Sequence, residues 1–493
     1  MKFNEVTKGW QSMARIFLKI SLLVVVAMMF TLISHAQDKK AMHAPDTLPG
    51  VEPEMLSAEY WISLQDDADT VIMTADEIAA FNVNVRNKQV TFTDYYGKDD
   101  PLKGNFTSAS GNGLIMNLLE PLGLPETVSG GEVRDRLRMN NELLYTPRPL
   151  YGSSDFYDNR NAIYDKKMKD DVAVKMNADA VPSTVKRRYG IVVNHALVRQ
   201  YPTPVPAYSD LNGRLDRFQL TDLCIGNPVA VLHTSLDGDY LFVECPLARG
   251  WIAATDIAIA DRAAILELVD DTSFLMAAND RVPVYGDPGY KHFVRYFYFS
   301  STLPLVSGGS NGYTVKMPYR KQNGSLGVTT GYVKPGADVH TGYMPYTKSN
   351  VLKQIFKLMG TPYGWHGQDN KRDCASTMRV LLRCFGIKVG KYPAFILSAS
   401  DNQYRMNPNL SAEEKTAETA KLEPVITMVG NSGHIALLLG KARNGKLYYI
   451  HQAGWGYRDE DGIQRIVGRV VVNCTEHRFY SINSPNVFTT MRP

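Results

Sequence analysis

Apolar residues recur along this chain with a spacing that changes from one stretch to the next, and the changes mark out its elements. A largely apolar run, Ile20 to Ile33, comes first, and a polar, proline-containing stretch (37–55) follows as a flexible lead-in. Between 56 and 180 short helical and turn patterns alternate. In "TADEIAAFN" (Thr74–Asn82) Thr74 is placed to cap a helix, with Glu77 at the capping-box position. The stretch "LYTPRPLYGSSDFYDNRN", rich in Pro, Gly and Tyr, reads as an extended segment that wraps another domain. From about Tyr189 to Ile259 apolar and polar residues alternate, and Asp237-Gly238 supplies a hairpin turn. A second β-rich stretch runs from about Ala263 to Lys334. Helical spacing returns in Tyr346–Gly360, where Val351, Leu352, Ile355, Phe356 and Met359 form one stripe that ends at Gly360. After Cys374 the stripe is Met378, Leu381, Leu382 and Phe385, stopped by Gly386. Two strand-like runs, "HIALLLG" and "KLYYIHQ", then meet around Asn444-Gly445. Helices followed by strands make the last part an α+β domain.

At 493 residues the chain is too long for one core, so several domains are expected. With 44% hydrophobic and 21% charged residues, wholesale disorder is excluded. A net charge of +4 with both signs mixed throughout gives no case for nucleic acid. Lys2, Lys8, Arg15 and Lys19 precede the first apolar run, and Ser34-His35-Ala36 closes it. That order reads as a secretory signal over 1–36, with a single membrane anchor as the alternative because Phe17–Ile33 approaches spanning length. Export to the periplasm or cell surface follows, with no stable membrane insertion once the signal is removed. Five cysteines leave at least one unpaired in an oxidising compartment; Cys224 with Cys245 and Cys384 with Cys474 are the pairings considered. No cysteine spacing suits zinc, and His-Glu-x-x-His, Gly-x-Ser-x-Gly and Gly-x-x-x-x-Gly-Lys-Ser/Thr are missing, so no metal or cofactor is implied.

Cys374 stands at the start of its helix, where free N–H groups and the helix dipole favour a thiolate and can also donate to an oxyanion. Cys384, inside the same helix, reads as core or half of a disulfide. A thiol nucleophile needs a base. His434 opens an apolar strand after "GNSG" and His451 ends the next. With a tight turn at Asn444-Gly445, His451 lies opposite Leu438, on the face of His434 but about 13 Å away along the strand. A bulge or an asymmetric loop must close that gap.

Taken together, "TPYGWHG", "RDCASTMRVLL", "SGHIALLLG" and "YYIHQ" resemble the NlpC family of papain-like bacterial cell-wall endopeptidases. The endings Gly250-Trp251 and Gly331-Tyr332 resemble the close of bacterial SH3-like domains, and "AEYWISLQDDADTVIMTADEIAAFN" is similar to the N-terminal segment of multi-domain members. The resemblance implies a signal (1–36), a stabilising segment (37–180), two SH3-like β-barrels (181–261 and 262–345) and a papain-like α+β cysteine peptidase domain (346–493). It implies a monomer cutting peptidoglycan stem peptides between γ-D-Glu and a diamino acid. Cys374 would attack, His434 would carry the proton and His451 would orient His434. Tyr363 and Asp373 would stand beside the nucleophile, and Tyr201, in "VRQYPT", would wall the groove from the first barrel. Three departures stand out: Ala375 and His366 replace the family's Ser and Gly, and "FILSASDNQYR" lacks the acidic residue that holds a free substrate amino terminus. Asp401 is the candidate to compensate. Two alternatives stay open: an inert wall-binding protein acting through its SH3-like domains, and an amidase or acyltransferase using the same Cys–His pair.

Overall fold

The computed structural model describes residues 42–45, 47–88, 90–91, 114–115, 119–145, 156–208, 215–269, 272–430, 433–476 and 487–493. The expected signal (1–36) and the middle of the Pro/Tyr-rich stretch lie outside these. By its contacts the chain forms two units, 1–46 with 455–468, and 47–454 with 469–493. The first is a small three-stranded sheet: Gln464–Ile466 pairs in parallel with Met42–His43 and antiparallel with Gly456–Arg458. Its turn is tied by Arg465 on Asp459 at 2.7 Å.

The large unit is a multi-domain mixed α/β body whose described residues form three large sheets and two two-stranded ones. Near its start, helix Ala75–Asn87 begins as its sequence dictates. The Thr74 hydroxyl accepts the Glu77 N–H (3.3 Å) and the Glu77 carboxylate accepts that of Thr74 (2.7 Å). Seven strands between Arg188 and Ala260 make one antiparallel sheet, in the order Ile257–Ala260, Arg188–Val192, Pro228–Thr234, Tyr240–Cys245, Ala248–Ala253, Ala196–Arg199, Gln219–Leu223. Its alternating apolar face (Val198, Val229, Val231, Val243 and Ile252) is a closed core. A second sheet of seven strands runs from Phe274 to Thr341 around Leu275, Val284, Phe297 and Val315.

The third sheet carries the α+β part. Its six strands are ordered Gln403–Arg405, Val487–Thr490, Thr427–Gly430, Ile435–Lys441, Leu447–Ala453, Arg469–Cys474. Helix Lys348–Phe356 buries Val351, Leu352 and Ile355, while Phe356 and Met359 are half-buried. Helix Cys374–Arg383 buries Met378, Leu381 and Leu382 beside the Ile435–Lys441 and Leu447–Ala453 strands. All five cysteines are free thiols, so neither pairing considered from the sequence forms. Among the described residues no helix is long and apolar enough to cross a membrane, and no His/Cys/Asp/Glu group is arranged to hold a metal ion.

The connection between the two histidine-bearing strands departs from the tight turn expected. Ala442 pairs with Lys446 across a three-residue loop, and the register slips once more between Leu438 and Gly440, so that Leu437 faces Ile450. Two one-residue shifts keep His451 on the face of His434 but bring it level with Ala436 instead of Leu438. Gly440 makes the bulge: its φ is +99°, and a Cβ there would meet Pro424 Cβ at 2.7 Å. Gly440→Ala is therefore expected to cost about 1–3 kcal/mol in urea unfolding. Unchanged stability would show that the strand can shed the bulge.

Candidate active site

Asp373 is the N-cap of the cysteine helix and forms a capping box with Ser376: its carboxylate accepts the Ser376 N–H at 2.7 Å, and the Ser376 hydroxyl accepts that of Asp373 at 2.8 Å. This fixes the first turn, and with it Cys374, which is 8% exposed. The Ile435, Ala375 and Cys374 backbone N–H groups all point to the sulfur. Ile435 follows His434, so the thiol lies against the strand that the histidine opens. His434 Nε2 and His451 Nδ1 are 2.7 Å apart, with the rings edge to face. The register shifts at the far end of the two strands make this contact possible.

The electrostatics differ from the expectation that helix position would favour thiolate. Burial comes first and the Asp373 carboxylate second, and together they push the Cys374 thiol up to about 12 despite the N–H groups that act the other way. Burial also lowers His434 to about 4 and holds His451 well below its ordinary value. At neutral pH both partners are uncharged, a thiol beside an imidazole.

Tyr363 is bridged to Arg372 and lies against Gly454. Burial, and then the Asp373 and Cys374 charges, push its phenol up. His366, a departure in the motif, is a working part of the wall. Its ring stacks on Trp365 at 4.0 Å, and its N–H donates to Asp373 at 3.2 Å. Its Nδ1 donates to the Gln219 carbonyl at 2.9 Å, and Gln219 Nε2 returns a bond to the His366 carbonyl at 3.1 Å. His366 sits at φ +50°, and the next residue, Gly367, at φ +89°, where a Cβ would strike Asp222 at 2.3 Å. The Gln219–Leu223 strand thus presses directly on the loop before the nucleophile. From the other side Asp280 pairs with Arg372, and Tyr298 accepts from Asn370 at 3.1 Å.

Two candidates fall elsewhere. Tyr201 has no exposed surface; its ring packs on Phe218 at 4.4 Å and its hydroxyl donates to the Asn140 carbonyl at 2.9 Å. The first sheet reaches the site through Gln219 and Asp222, not through "VRQYPT". Asp401 is exposed and paired with Lys88 at 2.9 Å. Through the ladder Gln403–Thr489–Met428–Leu437 it is level with Leu439, about five residues or roughly 17 Å along the strands from His434. It is three strands away as well, and does not compensate for the missing acid. His366 was visible in the sequence only as a histidine inside a glycine frame; Gln219 carried no signal, because its role depends on sheet packing.

Three imidazoles held without charge, His451 buried and His434 and His366 half-buried, predict acid sensitivity. His434 at about 4 and His366 at about 3 lie below the unfolded value of 6.5, so the unfolded chain binds more protons as pH falls. Their contribution is complete above pH 6.5 and is lost on acidification through that window. For His434 alone it amounts to about 3 kcal/mol. The urea midpoint should drop between pH 7 and pH 4.5; an unchanged midpoint would contradict neutral burial.

The SH3 domain (SH3b1 type) family matches residues 206–253, within the first seven-stranded sheet. Among solved structures, an NlpC/P60 endopeptidase from Photobacterium damselae subsp. piscicida superposes with a TM-score of 0.65 at 19% identity, covering 91% of this chain and 98% of its own. An NlpC/P60 family protein from Bacillus cereus ATCC 10987 aligns over 62% of this chain and 100% of its own, with a TM-score of 0.42 at 15% identity. No curated protein matches in sequence. The 0.65 superposition shows a shared fold.

Proposed function

We propose that this chain is an exported cysteine peptidase of the bacterial cell wall, cutting stem peptides between γ-D-Glu and the diamino acid. One observation carries the reading: the 2.7 Å His434–His451 hydrogen bond beside a thiol at a helix start. If His434 Nε2–H donates to His451 Nδ1, His434 Nδ1 keeps its lone pair for the thiol proton. In this reading that proton passes to His434 as Sγ bonds to the scissile carbonyl carbon, and the oxyanion meets the N–H groups at the start of the helix. His434 then gives the proton to the leaving amine as the C–N bond breaks. Water, activated by the same imidazole, hydrolyses the thioester and restores the thiol. A base beside a neutral thiol suits concerted transfer rather than a preformed ion pair. The fold of a solved endopeptidase and an SH3-type segment support a peptidoglycan substrate.

The test is mass spectrometry of products from L-Ala-γ-D-Glu-diamino-acid peptides incubated with the purified protein. Release of L-Ala-γ-D-Glu supports the proposal. Cleavage of an amide or transfer of an acyl group elsewhere would favour an amidase or acyltransferase. Retention on cell wall with every peptide intact would favour an inert binding protein.

A further inference from the structure

One residue of the sheet that carries the two histidines holds a backbone conformation its own side chain opposes. Val425 is β-branched and has no exposed surface, yet its φ is +71°. A β-branched residue is an outlier there, and such strain persists only where surrounding contacts fix it. Those contacts converge on the bulge. The Val425 N–H donates to the Leu438 carbonyl at 2.7 Å, and the preceding Pro424 lies where a Cβ on Gly440 would be. Leu438 and Gly440 flank Leu439, the extra residue of the bulge, so two consecutive residues hold it from both sides. The corner is anchored in turn. The Glu423 carboxylate pairs with Arg492 at 2.9 Å and with Lys348 at 3.4 Å, and the Glu423 carbonyl accepts the Thr427 hydroxyl at 2.6 Å.

The bulge decides from which face His451 projects. On its loop side Gly440 faces Tyr448, and that register carried on without an extra residue sets His451 opposite Leu437. Leu437 is an odd number of residues from His434, so His451 would then point away from it, through the other face of the sheet. With Leu439 bulged, His451 is level with Ala436, on the His434 face, and the two ring nitrogens stand 2.7 Å apart. We propose that Val425 and Pro424 are positioning residues: their strained corner selects the bulge at Leu439, and through it the His434–His451 hydrogen bond. This claim concerns the geometry of the pair, and only its kinetic consequence rests on the peptidase reading.

The experiment compares Val425→Gly with Val425→Pro in the full chain. Both lose the isopropyl group; glycine keeps the N–H and adopts positive φ freely, whereas proline can do neither. Proton NMR with isotope-labelled histidine reads the imidazole N–H shared by His434 and His451 as a downfield signal, identified by its loss in His451→Leu. The signal should persist in Val425→Gly and vanish in Val425→Pro. On stem peptides kcat should fall by less than about threefold in the first and about 10²-fold in the second, the worth of an oriented general base, with KM nearly constant in both. Pro424→Gly opens the space beside Gly440 without a new steric demand, and it carries the test if Val425→Pro does not fold. It should weaken the signal and lower kcat by an intermediate amount. A signal missing from the wild type, or one unchanged in Val425→Pro or in Pro424→Gly, overturns the positioning role. Equal losses in Val425→Gly and Val425→Pro also overturn it, because they assign the effect to side-chain packing. The expected pattern of signals with no cleavage of any peptide supports the corner and overturns the peptidase reading instead.

Discussion

Cys374→Ala should reduce stem-peptide cleavage by at least about 10⁴-fold, because it removes the atom that forms the covalent intermediate in the proposed mechanism. Stability should change little: the thiol is a small group in a first turn fixed independently by the Asp373–Ser376 capping box. The control is Cys384→Ala at the C-cap of the same helix. Cys384 is fully buried, its thiol directed at the Val380 carbonyl 3.5 Å away, so its loss leaves a small cavity costing about 1 kcal/mol while cleavage persists. The raised Cys374 thiol adds a second signature. At about 12 it remains protonated through the neutral range, so iodoacetamide should label the resting enzyme slowly at pH 7 and faster as pH rises. Rapid, pH-independent labelling would mean a preformed thiolate and would sink the neutral-pair account. Cleavage that survives in Cys374→Ala would remove the proposed nucleophile altogether.

What the sequence could and could not convey follows the range over which each feature is determined. Local features were legible. Thr74 and Glu77 meet within one turn, and the stripe Met378, Leu381 and Leu382 is set by helical period alone. The stripe leaves Cys374 at a helix start, as expected. The meeting of His434 and His451 was legible only as a shared face and a gap to be closed. Its closure depends on where a bulge falls, and Gly440 gives no more hint of that than other glycines until Pro424 is seen against it. The two substrate-binding candidates found elsewhere, Tyr201 and Asp401, were assigned by analogy to segments, and long-range packing decides such cases: Asn140 claims one and Lys88 the other. The thiolate expectation failed on magnitude. Helix N–H groups do act on Cys374, but burial beside Asp373 outweighs them, and burial is a property of the assembled fold.

The largest effect after loss of the nucleophile should come from His451, which touches no substrate in the proposed mechanism. It is 1% exposed, and its Nδ1 sits 2.7 Å from His434 Nε2. Without an acceptor there, the His434 ring loses the bond that selects its tautomer, and the lone pair needed at Nδ1 is no longer assured. His451→Leu fills the space but supplies no acceptor, so kcat should fall about 10²–10³-fold, the worth of a positioned general base, with KM nearly constant. His451→Gln restores an acceptor oxygen on a side chain of similar reach and should recover a substantial part of that loss. The pair of variants distinguishes orientation from packing. A purely structural histidine would show the same deficit in both, or a deficit that follows the loss of melting temperature. Gly440→Ala supplies the remote version of the same experiment, since it disturbs the register that brings the two rings together without touching either. A fall in kcat in Gly440→Ala that resembles His451→Leu would tie catalysis to the bulge; full activity in His451→Leu would show that His434 needs no orienting partner.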